Sequence, residues 1–148
     1  MLREGDIVAV RGKWLERVLN HLISPYSPYW HFFILGEEVP DDYVIYEMGP
    51  DGCRPGRLSM YDGEKIAVYR VADRKIAHRA ADEASRYGRF KYDYILFPEL
   101  FFKALGYWIK KGFRPVPYTE FRDVVNNQLI CIELVANCYY NAGYPLVP

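Results

Sequence analysis

The chain has 148 residues, 51% of them hydrophobic and 26% charged, with 19 basic and 19 acidic side chains. This length and composition suit one globular domain over residues 1–148, large enough to bury a core without staples, and exclude a disordered chain. Zero net charge with the two signs interspersed leaves no basic face for nucleic acid, and no apolar run approaches the ~20 residues of a membrane helix.

Gly5-Asp6 precedes a short apolar strand, Ile7 to Val10, which Arg11-Gly12 ends. Lys13 to Ile23 has helical spacing, with Trp14, Leu15, Val18, Leu19 and Leu22 on one face. Two prolines make Ser24 to Pro28 a loop. His31 to Leu35 reads as a strand, Gly36 to Asp42 as a turn, and Tyr43 to Glu47 as the next strand. Gly49-Pro50-Asp51-Gly52 is a further turn. Cys53 to Leu58 reads as a short strand or as irregular chain, and Lys65 to Val71 as a strand. Asp73 to Tyr87 is predicted to be a helix stopped by Gly88. Pro98 to Lys110 is a second helix, with Pro98 in its first turn and Gly112 beyond its end. Thr119 caps a short helix through Val125, and Asn127 or Gln128 leads into a last helix, Leu129 to Asn141, which Gly143 stops. Strands first and helices later predict an α+β fold, an antiparallel sheet of about five strands packed against helices.

Three cysteines, Cys53, Cys131 and Cys138, make no disulfide framework and suit a reducing compartment. No signal-peptide pattern opens the chain, so a soluble, cytoplasmic protein is expected. The spacings C-x-x-C and H-x-x-x-H are absent, so neither a metal nor a cofactor is expected. The serine-hydrolase elbow G-x-S-x-G is absent too. The 14 tyrosines suit either an aromatic-lined cleft or a tyrosine-rich core.

A hairpin with Gly36 to Asp42 as its loop is symmetric about Val39, and pairs Leu35 with Tyr43 and His31 with Glu47. Direct cross-strand partners share a face with Cβ atoms ~4.5–5.5 Å apart, and a slip of one residue separates them. A carboxylate so placed fixes the imidazole tautomer and stabilises the imidazolium. The same spacing also suits a purely structural pair on a half-exposed sheet. Cys131 falls where the last helix begins, and free N–H groups, helix dipole and a nearby imidazolium favour a thiolate there. A buried cysteine acting as a small hydrophobe is the alternative. Cys138 lies two turns deeper on roughly the same face and reads as core; Cys53 falls in a Gly/Pro-rich loop with no neighbouring histidine. His21 shares a charged helix face with Arg17, His78 lies among Arg74, Lys75 and Arg79, and both read as solvated helix positions.

Five segments stand in order along the chain: Gly5-Asp6-Ile7-Val8, His31-Phe32-Phe33-Ile34-Leu35-Gly36, Val44-Ile45-Tyr46-Glu47, Lys91-Tyr92-Asp93-Tyr94 and Cys131-Ile132-Glu133-Leu134-Val135. In this order the chain resembles, over nearly its full length, the circularly permuted papain-like branch of the NlpC superfamily of cysteine peptidases, the YiiX/YebB-like proteins. The resemblance implies Cys131 as nucleophile, His31 as general base and then acid, and Glu47 as its orienter. It also implies Tyr92 beside the nucleophile as an oxyanion donor, with the Cys131 backbone N–H as the other. Glu133 points to a different helix face and reads as structural. The implied reaction is hydrolysis of an amide bond, in a small peptide (a cell-wall-derived one included) or an N-acyl amino acid, through a thioester. No cofactor or metal is implied, and the partner is a small peptide or acylated substrate.

The sequence departs from the family at Ile132, where a serine is common, and at the bulky Phe32-Phe33. These departures leave open a catalytically inactive binding module of the same fold. The aromatic stretch Phe97, Phe101, Phe102, Tyr107 and Trp108 leaves open a lipid-linked thiol acyltransferase or esterase, and with it contact with a membrane. The long, aromatic segment Pro98 to Tyr118 leaves open a cover over the cleft.

Overall fold

The structure, a computed structural model, describes residues 1–12, 28–49, 51–88, 102, 106, 107, 109–111 and 131–146. Among the described residues there are five strands: β1 (Ile7–Arg11), β2 (Tyr29–Val39), β3 (Asp42–Gly49), β4 (Gly52–Arg57) and β5 (Ile66–Tyr69). A 3-10 turn, Leu58–Tyr61, follows β4, and two uninterrupted helices are described after β5: α1 (Arg74–Arg86) and α2 (Cys131–Asn141). The strands form one antiparallel sheet in the order β4-β3-β2-β1-β5. The fold is therefore α+β with a five-stranded antiparallel sheet, as strands-then-helices predicts. Residues 102, 106, 107, 109 and 110 are helical, within the stretch where the Pro98–Lys110 helix is expected, and residue 111, one beyond it, is helical too. The expected helices Lys13–Ile23 and Thr119–Val125, and the cap at Asn127 or Gln128, lie outside the described residues.

Successive strand residues point to opposite faces, and both faces of this sheet are covered. Ile7, Ile34, Met48 and Cys53 meet Ala80, Ala81 and Ala84 of α1 and Leu134, Val135, Cys138 and Tyr139 of α2. On the opposite face Val8, Val10, Phe33, Leu35 and Ile45 form a second core, closed by Leu2, Tyr43, Leu58 and Tyr61. This is why β1 reads as an uninterrupted apolar run: it is buried on both sides. In α1 the buried residues are all alanine, at positions 77, 80, 81 and 84, so the helix lies close to its neighbours. The Asp73 side chain caps it, accepting from the backbone N–H of Lys75 and Ile76.

Gly5 fixes how the N-terminal segment meets α1. Its φ is +80°, and a Cβ there would lie 2.3 Å from the Ala77 carbonyl oxygen. Its N–H donates to Leu35 O at 2.7 Å, and the Tyr139 hydroxyl donates to its carbonyl. Asp6, fully buried, accepts from Arg70 through both carboxylate oxygens and from the Arg3 backbone N–H.

The β2–β3 hairpin corrects the expected register. The turn is the two residues Pro40 and Asp41, not Gly36 to Asp42, and Asp41 has φ +61°. Proline fixes its own φ, and aspartate tolerates the left-handed conformation, so this pair makes a tight turn. Val39 pairs with Asp42 and Glu38 with Tyr43; then the register shifts, so that Leu35 pairs with Ile45 and Phe33 with Glu47. Two residues of β2, Gly36 and Glu37, stand against Val44 alone, which is a β-bulge. The expected pairs Leu35–Tyr43 and His31–Glu47 are thus each displaced by two residues. The turn alone would have displaced them by three and put His31 and Glu47 on opposite faces. The one-residue bulge restores an even offset, and the two side chains share a face.

Candidate active site

His31 lies on β2 opposite the apolar Val10 of β1, and Glu47 lies on β3 opposite Phe33. His31 therefore reaches Glu47 along the diagonal. Its Nε2 is 2.9 Å from Glu47 Oε2, with Glu47 only 2% exposed and His31 19%. The imidazole ring lies beside two aromatic neighbours that also touch each other. Phe33, two residues on along β2, has its centroid at 6.0 Å, and Tyr61 stacks on the ring at 6.0 Å with 23° between the planes. Tyr61 and Phe33 in turn lie 5.0 Å apart.

The Glu47 carboxylate is fully engaged. Oε2 accepts from His31 and from the Tyr61 hydroxyl at 2.5 Å. Oε1 accepts from Arg54 Nε and Nη2, each at 3.2 Å. Arg54 stands directly across from Glu47 on β4, 42% exposed. A carboxylate offers about four lone-pair sites, and these four donors occupy them.

Electrostatics follow from these contacts. Burial resists ionisation of Glu47, but hydrogen bonds from His31 and Tyr61, the imidazolium charge and the bond from Arg54 outweigh it and hold the carboxyl at about 2. Burial also resists the His31 imidazolium; hydrogen bonds to Cys131 and Glu47, with the charges of both, outweigh it and carry His31 up to about 9. Burial and the bond to Glu47 push the Tyr61 hydroxyl above the ordinary phenol range, so it stays a donor. Because an ionised carboxylate only accepts, His31 Nε2 carries the hydrogen, and Nδ1 is the nitrogen left for Cys131.

Cys131 is the first described residue of α2, half-buried at the border of the helix-side core. Its side chain interacts with His31. Three of the four residues singled out in the sequence, Cys131, His31 and Glu47, are thus brought together. The fourth, Tyr92, lies outside the described residues, as does His21. His78 is exposed on α1, its Nδ1 3.0 Å from Glu4. Cys138 is core, as its spacing suggests, with burial pushing its thiol up to about 12. Cys53 lies on strand β4, not in a loop, with its thiol pushed up to about 11 by burial and by the Glu47 charge. Among the described residues, Glu4, His78 and Asp82 are a group whose ligand-type atoms lie within 4.8 Å of one another, on the surface. The Glu4–His78 pair ties the N-terminal segment to α1 there.

Sequence reasoning missed Arg54 and Tyr61. For Arg54 a signal was present: Gly49 pairs with Gly52 across the turn, and counting back from it sets Glu47 against Arg54. For Tyr61, at the end of the 3-10 turn, no local pattern points to the histidine.

No helix among the described residues is long and apolar enough to cross a membrane. No family model matches the chain, and no curated protein matches it.

Proposed function

We propose that the chain is a cysteine hydrolase of the circularly permuted papain-like branch of the NlpC superfamily, cleaving an amide bond in a small peptide or an N-acyl amino acid. One observation carries this reading: the His31 imidazole bonds to a buried, ionised Glu47 through Nε2 and interacts with the half-buried Cys131 of α2. Nucleophile, base and orienter standing in a chain of contacts is the arrangement that nucleophilic catalysis requires.

In the proposed reaction Cys131 Sγ, as thiolate, attacks the amide carbonyl carbon, and the carbonyl π electrons pass to oxygen. The Cys131 backbone N–H donates to that oxyanion, and such a donor is typically worth ~3 kcal/mol. As the C–N bond breaks, the His31 imidazolium gives its Nδ1 proton to the leaving nitrogen, and a thioester remains. Water then attacks the thioester carbonyl, His31 takes a proton from it, and the C–S bond breaks to release the acid. Throughout, Glu47 holds Nε2–H and keeps Nδ1 facing the sulfur. Three free cysteines suit a reducing compartment, and we place the enzyme in the cytoplasm.

The test is hydrolysis of a panel of dipeptides and N-acyl amino acids by the wild type, Cys131→Ser and His31→Ala. Turnover by the wild type and its loss in both variants is expected. Full activity in either variant refutes the assignment.

A further inference from the structure

We propose that Arg54 and Tyr61 are positioning residues that set the basicity of His31 through Glu47, an inference that rests on the hydrolase reading above. Glu47 alone would hold the imidazolium too firmly for an acid that must give up its proton and a base that must take one back. Arg54 counters this from the far oxygen. Its Nε and Nη2 both bond to Oε1, placing a full positive charge where it draws electron density away from Oε2 and repels the imidazolium. Tyr61 acts on the near oxygen. Its hydroxyl shares Oε2 with His31, and its ring stacks on the imidazole, so the same side chain fixes the ring plane and withdraws part of the carboxylate's accepting power.

The groups facing this pair come from every described element around it. His31 lies on β2, Glu47 on β3, Arg54 on β4, Tyr61 on the 3-10 turn and Cys131 on α2, while β1 sets apolar Val10 opposite His31. Cys53, on β4, lies within the field of Glu47. Arg54 is the one fixed positive charge in this set, and its guanidinium has room to lie across the strand because residue 49 is glycine.

The test is an NMR titration of the His31 ring in 15N-histidine-labelled protein, with His31→Ala used to assign the signal. The variants are Arg54→Gln, Arg54→Lys and Tyr61→Phe, each checked for folding by circular dichroism. The expected result is an upward move of the His31 midpoint by roughly one unit in Arg54→Gln, a smaller upward move in Tyr61→Phe, and a return towards wild type in Arg54→Lys. An unchanged or lowered midpoint in a folded Arg54→Gln or Tyr61→Phe protein overturns the proposal for that residue and leaves it a purely structural contact. If Arg54→Gln does not fold, Gly49→Ala moves the same guanidinium without removing it, and its midpoint decides in the same way. The titration needs no turnover. A chain that hydrolyses nothing still answers the question, and an unmoved midpoint leaves the hydrolase reading standing.

Discussion

A Cβ placed on Gly49 would stand 2.8 Å from Arg54 Nε and 3.0 Å from its Cζ. Gly49 is thus the floor under the guanidinium on its way to Glu47, and the glycine is there for space, since its φ is not in the left-handed region. In Gly49→Ala the backbone can stay and the guanidinium must lift. The lost hydrogen bonds weaken the fold, while a less flexible unfolded chain offsets them by ~0.4–1 kcal/mol. The expected net change in urea unfolding is within about 1 kcal/mol of wild type. A loss several times larger would show that the site cannot yield at Gly49.

Glu47→Ala removes the acceptor that four donors share. His31, Tyr61 and Arg54 then face each other with nothing between them, and two of the three carry positive charge. Breaking a buried pair from one side typically costs ~3–5 kcal/mol; with Arg54 half in solvent, a loss of roughly 3 kcal/mol is expected in urea unfolding at pH 7. The proposed hydrolysis should fall by at least about a hundredfold, because the imidazole loses both tautomer and orientation. Wild-type stability in this variant would mean that the carboxylate is not where the network needs it.

Stability should depend on pH through the same pair. Folding raises His31 from 6.5 to about 9, so the folded state binds that proton more tightly than the unfolded chain. The contribution is whole below pH 6.5, declines between 6.5 and about 9, and is gone above. Folding lowers Glu47 from 4.5 to about 2, so its contribution is whole above pH 4.5 and is lost as pH falls towards 2. Urea unfolding of the wild type and His31→Gln at several pH values separates the first effect. The stability gap between them should be widest near pH 6, shrink between pH 6.5 and about 9, and be smallest above. A gap constant across that range would mean that folding leaves His31 unperturbed.

How far the site is legible in the sequence depends on how local its cause is. The helix expected over Asp73 to Tyr87 is written in residue type and in its Gly88 stop, and it stands in the structure over Arg74–Arg86. So does the partnership of His31 with Glu47, although its register does not. Gly36 looks like a turn residue but lies within β2, where a Cβ would meet the Tyr46 ring at 2.8 Å. The real turn, Pro40-Asp41, needs one residue in the left-handed region, and aspartate provides it less visibly than glycine would. The bulge that restores the common face leaves no mark on apolar periodicity, because it is a property of two strands together. Tyr61 is the extreme case: it reaches His31 only through the packing of the 3-10 turn on the sheet.

Gly5→Ala tests the other end of the sheet. Its φ of +80° strains any side chain, and the new Cβ would overlap the Ala77 carbonyl, which is backbone and cannot swing aside. The segment also bonds to Leu35 and Tyr139, so α1 and the N-terminal segment would have to part. A loss of at least about 3 kcal/mol, read as a fall in the thermal midpoint, is expected. A near-neutral result would show that the N-terminal segment is not clamped to α1.

The three cysteines give a built-in comparison for the nucleophile. Cys53 is 7% exposed and Cys138 fully buried, and burial pushes both thiols up, to about 11 and about 12. Cys131 alone is half-buried and shares its contacts with a histidine. Iodoacetamide applied to the native protein, with each site read by mass spectrometry, should therefore label Cys131 first and leave the other two until urea unfolds the chain. On the proposed reading His31 activates the Cys131 sulfur, so in His31→Ala labelling of Cys131 at pH 6 should slow by about tenfold or more. In the wild type the character of the profile should change as pH passes about 9, where His31 gives up its proton. Labelling of Cys131 at the rate of a free thiol, unaltered by His31→Ala, would make it a packing residue and remove the ground for the hydrolase assignment.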